Sequence, residues 1–163
     1  MLLIDDNTAV VDTSDELKKI LEADNSITTI YLSQDIQLTS GITIQPSKTE
    51  IIIDGLYPPD DTGTIHTYTD MSSTSNDDTI GVRSASKISI TIQNLNIVSH
   101  NNYGIVYIPE GGDYINATVI FKHITFTGPQ MLFHPSGYLR IEDSTIDVAA
   151  SDPSPANELA EIN

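Results

Sequence analysis

At 163 residues with no Cys and no Trp, the chain has the length of one domain and can bury a core. It holds no disulfide, thiol nucleophile or Cys-based zinc site. Seven Lys and Arg face 23 Asp and Glu, a formal net charge of −16; such a field repels phosphate backbones and anionic lipid and argues against nucleic-acid and membrane-surface binding. No run approaches the roughly 18 apolar residues of a membrane span.

The opening residues, 1–6, have no basic region and are too short for a secretory signal. Residues 12–23 read as a helix. Thr13, with Glu16 three residues on, forms a capping box, and Leu17, Ile20 and Leu21 make one narrow apolar stripe. A single short amphipathic helix ahead of many strands has the character of a lid.

Beyond it the chain is β-branched, with 24 Ile and 18 Thr, side chains that favour pleated strands. Short runs at 27–32, 36–38, 42–44, 51–53, 64–67, 88–92, 95–98, 104–108, 118–121, 124–126, 131–133 and 138–141 mostly alternate apolar residues with Thr, Ser, Gln or Asn. That is period-two patterning with one buried face. Tight hairpin pairs are scarce, Asp54-Gly55 being the main exception.

Self-similarity separates the architectures. Ile92-Gln93-Asn94-Leu95-Asn96-Ile97 lies over Phe121-Lys122-His123-Ile124-Thr125-Phe126 and over Ile141-Glu142-Asp143-Ser144-Thr145-Ile146, with offsets of 29 and 20 residues. Ile53-Asp54-Gly55 reads as a degenerate earlier copy. Rungs of this length built from three short strands predict an all-β parallel β-helix of about four coils, capped by the N-terminal helix. The repeated polar position then stacks Asp54, Asn94, His123 and Asp143 as a structural ladder at a bend. A β-sandwich also suits short strands, but gives the recurring block no reason.

The chemistry-bearing residues are dispersed. A polysaccharide lyase needs carboxylates holding calcium and a basic residue to take a proton, and the chain has two Arg, Arg83 and Arg140. A hydrolase needs paired carboxylates on a rigid surface, whereas Asp60-Asp61 and Asp77-Asp78 read as loops. The expectation is therefore no catalytic residue, the alternative being a fragment or relative of a lyase or hydrolase acting on acidic polysaccharide. His66, His100, His123 and His134 lack a convergent spacing for zinc. Asn76, Asp77 and Asp78 are the candidate calcium ligands, and no other cofactor is expected. Tyr103 and Tyr107 are the candidate ligand-binding residues, since exposed aromatics beside polar groups suit carbohydrate recognition.

One segment is distinctive. Thr127-Gly128-Pro129-Gln130-Met131-Leu132-Phe133-His134-Pro135-Ser136-Gly137 resembles the Gly-Pro-Gln block, followed by an aromatic, a polar-Pro step and Gly, of pectate-lyase-like adhesive domains in surface proteins of Gram-positive bacteria. The opening helix, Ile51-Ile52-Ile53-Asp54-Gly55, Ile92-Gln93-Asn94 and Asn102-Tyr103-Gly104-Ile105 follow in matching order. The resemblance implies a right-handed parallel β-helix over residues 1–150 and a non-catalytic binding or adhesion module. It also implies an extracellular or cell-surface location, with signal and anchor outside this chain. The partner expected is a host or cell-surface glycan or protein, with no nucleic acid and no membrane insertion. Residues 151–163 read as a linker or the start of a further element, leaving an open C-terminal coil through which copies associate.

Overall fold

The computed structural model describes residues 1–57, 63–71, 79–82, 87–148 and 160–161. Its strands are β1 (Leu2–Leu3), β2 (Thr8–Val11), β3 (Thr29–Leu32), β4 (Ile36–Leu38), β5 (Ile42–Ile44), β6 (Glu50–Asp54), β7 (Thr67–Asp70) and β8 (Ile80–Val82). They continue as β9 (Ser89–Ser99), β10 (Val106–Tyr107), β11 (Thr118–Gly128), β12 (Leu132–Phe133), β13 (Tyr138–Glu142), β14 (Thr145–Val148) and β15 (Ala160–Glu161). One α-helix, α1 (Ser14–Glu22), sits between β2 and β3.

Pairing is parallel between named strands throughout, apart from β1 on β2. The larger sheet runs β1-β2-β3-β6-β9-β11-β13, with β4 and β7 stacked on the second half of β9 and β14 on the second half of β11. The smaller sheet runs β5-β8-β10-β12-β15. The chain thus visits the same places repeatedly, each visit pairing with the one before, as the sequence offsets require: Ile92 lies opposite Phe121, and Phe121 opposite Ile141. Parallel pairing also removes the sandwich alternative, whose sheets are antiparallel.

Period-two patterning builds the core in columns. Ile30, Ile53, Ile92 and Phe121 stack through one register, Ile36, Tyr68, Ile97 and Phe126 through a second, and Ile42, Ile80, Val106 and Leu132 through a third. All twelve are buried. Each such side chain contributes about 1.5–3 kcal/mol over leaving it in water, and a one-residue slip would turn a whole column outward. The register is therefore fixed by the pattern.

Helix α1 covers one end of this stack. Thr13 accepts from the Glu16 amide at 3.3 Å, satisfying an orphan donor at the helix start, and Glu16 accepts at 3.1 Å from the amide of Asp12, just ahead of the cap. Leu17, Ile20 and Leu21 are buried and face β2, β4 and β5. Nearby, buried Lys48 donates to Asn25 Oδ1 at 2.8 Å and the Ile27 carbonyl at 2.9 Å. Burial lowers its ammonium from the ordinary value, with Asp24 pulling the other way.

Several boundaries differ from those read in the sequence. The run expected at 64–67 becomes β7 at Thr67–Asp70. Strands β1, β2, β8, β14 and β15 are additional. The boundary expected at residue 150 falls within 149–159, outside the described residues.

Candidate functional site

The bend in the larger sheet is made by three residues with positive φ: Asn94 (49°), His123 (50°) and Asp143 (45°). Asn, Asp and His enter the left-handed region more readily than other side-chain-bearing residues, which explains the recurring polar position. Lys122 lies opposite Gln93 and Glu142, so the three bend residues share one line up the stack. His123 Nε2 lies 3.4 Å from Asp143 Oδ2, with side chains 47% and 78% exposed.

Asp54 is placed one step off this line. Its register partner is Gln93, and Gly55 occupies the level of Asn94. A Cβ on Gly55 would stand 2.2 Å from the Asn94 carbonyl oxygen, so only glycine fits there. Asp54 is buried beneath the bend, accepting from Gln93 Nε2 at 2.6 Å, Asn94 Nδ2 at 3.0 Å and the Leu56 amide at 2.9 Å. The expected four-residue stack is thus a three-residue line with a carboxylate tied in below it.

The distinctive Gly-Pro-Gln segment forms the next corner. Gly128 lies where a Cβ would meet the Ser99 carbonyl oxygen at 2.8 Å. Buried Gln130 donates to the Leu132 carbonyl at 2.8 Å, and one level back buried Asn101 accepts from the Tyr103 amide at 2.9 Å. His134 is fully buried, its Nε2 3.0 Å from the Ala117 carbonyl oxygen. It packs so closely on Gly137 that a Cβ there would come within 1.6 Å of the ring. The imidazole donates to that carbonyl as the Nε2-protonated tautomer. Its Nδ1 has no hydrogen-bond partner among the described residues. These side chains are turned inward and shape the turn.

What the corner presents outward is aromatic. Tyr103, Tyr107 and Phe133 are each half-buried. Tyr107 stacks on Phe133 with centroids 4.9 Å apart at 20°, while Tyr103 lies 5.9 Å from Tyr107 and 5.8 Å from Phe133 at steeper angles. Gly104, at φ 77° and with Met131 backbone 2.5 Å from where its Cβ would stand, lets the chain turn sharply and sets Tyr103 beside Tyr107. On the other side Tyr107 lies opposite buried Gly81. The expected pair, Tyr103 and Tyr107, is brought together. Phe133 completes the group, and its signal was the alignment of Ile105-Val106-Tyr107 with Met131-Leu132-Phe133.

Of the remaining candidates, those among the described residues are dispersed. Asn76, Asp77 and Asp78 lie outside the described residues, as do Asp60, Asp61 and Arg83. Among the described residues no group of three or more His, Cys, Asp or Glu is placed to hold a metal ion. The Arg140 side chain is 69% exposed, and its Nε pairs with Glu142 on the same strand. Tyr114 is turned against the core. No helix among the described residues is long and apolar enough to cross a membrane.

Comparison with known proteins gives the same picture. The family model described as "Putative pectate lyase-like adhesive domain" matches residues 8–133, which takes in the helix, the bend residues Asn94 and His123, and the aromatic corner. A solved chain titled "L. reuteri 53608 SRRP" superposes with a TM-score of 0.62 at 24% sequence identity, over 90% of this chain and 46% of that one. At that identity the likeness is one of fold, and this chain spans under half of the solved chain's length. No curated protein sequence matches the chain. The matching family is described as adhesive, in keeping with the expectation of a non-enzymatic module, and the chain belongs to this family of pectate lyase-like adhesive domains.

Proposed function

We propose that the chain is a right-handed parallel β-helix module of a bacterial surface or secreted adhesin, and that it binds a cell-surface glycan or protein through Tyr103, Tyr107 and Phe133. The observation that carries this reading is an outward aromatic cluster on a stacked, rigid β scaffold in a member of an adhesive family. Rings held against one another by the strand register offer apolar area at little entropic cost, a surface suited to contact with the apolar face of a pyranose. The formal charge of −16 disfavours polyanionic partners, so neutral glycans and basic protein surfaces are preferred over acidic ones.

The test is an array of surface polysaccharides and matrix proteins probed with the wild-type chain and with Tyr107→Ala. Retention by at least one class, weakened in the variant, supports the proposal. Equal retention of both proteins would move the binding surface elsewhere. A crystal structure settles the hand of the coil separately.

A further inference from the structure

Beneath helix α1 one lysine is taken out of water. Lys48, in the turn between β5 and β6, is 5% exposed, and among the described residues no other Lys or Arg is buried. Its Nζ is enclosed by oxygens of the turn that follows the helix: Asn25 Oδ1 at 2.8 Å, the Ile27 carbonyl at 2.9 Å and the Asn25 carbonyl at 3.3 Å. A lysine is an expensive residue to bury, and this one is set against a single side chain, the Asn25 carboxamide.

That carboxamide is held at both ends. Its Nδ2 donates to the Ile20 carbonyl at 3.0 Å, and its Oδ1 accepts from the Ile27 amide at 3.0 Å as well as from Lys48. With Nζ 2.8 Å from Oδ1, a C=O bond of about 1.23 Å puts the amine nitrogen about 3–4 Å from the amide carbon Cγ, close to the separation of a near-attack pair. The surroundings suit acyl transfer. Burial lowers the Lys48 ammonium, with Asp24 opposing, which brings the nucleophilic neutral amine within reach. The Ile27 amide already points at the oxygen on which negative charge would develop. Asp24, whose carboxylate acts on the Lys48 charge and accepts from Ser47 Oγ at 2.9 Å, is the acceptor for the proton.

We propose that Lys48 and Asn25 become joined by a covalent side-chain amide. The ammonium gives one proton to Asp24, and Nζ attacks Cγ. The Nζ–Cγ bond forms, the Cγ–Nδ2 bond breaks, and a second proton passes from Nζ to Nδ2, which leaves as ammonia. Asp24 then returns its proton to the ammonia. An ammonium and a carboxamide thus become a secondary amide and an ammonium ion, with no oxidant and no added reagent. The link fastens the turn after α1 to the turn ahead of β6, where the Gln45 amide already donates to the Leu21 carbonyl at 2.8 Å. In a chain with no Cys it closes a loop as a disulfide would.

Intact-mass measurement of the folded chain, incubated until the mass is constant, tests this. The wild-type chain should be lighter than its sequence mass by one ammonia, and fragmentation of a digest should place residues 25 and 48 in one branched peptide. Lys48→Arg and Asn25→Ala should each keep the full mass of their own sequences. A wild-type chain at full sequence mass would overturn the proposal, and that reading holds even where a variant fails to fold. Loss of ammonia that persists in Lys48→Arg would overturn it too, since it would mark a cyclic imide at Asn25-Ser26 rather than a crosslink.

Discussion

Tyr107 and Phe133 are register partners in neighbouring parallel strands, and their rings stack 4.9 Å apart at 20°. The scaffold that sets one strand on the next thereby sets one ring on the next. Because the spacing is imposed by the backbone ladder, the aromatic surface exists before any ligand arrives, and little ordering is left for binding to supply.

Removing either ring separates structure from recognition. Tyr107→Ala should cost the stacking contribution of about 0.5–1.5 kcal/mol together with some buried area, measured by urea unfolding. Circular dichroism should remain that of the parent, because the inward column beneath it, Ile80-Val106-Leu132, is untouched.

Glycines at the corner discriminate between strain and space. Gly104→Ala puts a Cβ against the Met131 backbone at φ 77° and should destabilise by about 2–3 kcal/mol. Gly112→Ala meets nothing within 4 Å and should stay within about 0.5 kcal/mol of wild type. Chemical denaturation of both variants side by side measures the contrast.

The bend position has its own signature. At φ 50°, His123→Asn should be near neutral, whereas His123→Val, a β-branched residue in the left-handed region, should cost about 1–2 kcal/mol. Thermal unfolding checks the order.

His134 makes stability depend on pH in a defined direction. Burial lowers its imidazole from the ordinary 6.5, with the hydrogen bond to the Ala117 carbonyl opposing. Because the folded state binds that proton less readily than the unfolded chain, the contribution is fully present above 6.5 and is lost as the pH falls through the lower folded value. His134→Gln should flatten the slope of unfolding free energy in that window, even if it lowers stability throughout.

Much of the fold was legible because the residues repeat. The offsets of 29 and 20 residues reappear as Ile92 opposite Phe121 opposite Ile141, and Thr13 with Glu16 fixed the helix start. What escaped did so for physical reasons. Strand β2 follows an acidic opening and is held by burial of Ala9, Val10 and Val11 in succession rather than by alternation. The Ile53-Asp54-Gly55 copy placed its acid one residue before the left-handed line, since the glycine takes the crowded place beside Asn94. Phe133 looked like part of a turn motif, and its partnership with Tyr107 shows only when Ile105-Val106-Tyr107 is laid over Met131-Leu132-Phe133 one level on.

The central claim is that this adhesive domain binds through the aromatic corner. The most direct measurement is titration of the glycan or protein retained on the array into wild type and into a Tyr103→Ala/Tyr107→Ala double variant, by calorimetry. The account predicts saturable binding to the wild-type chain and affinity reduced at least about tenfold, equivalent to about 1.4 kcal/mol, in the folded variant. Unchanged affinity in a variant that retains the parent's circular dichroism would contradict it.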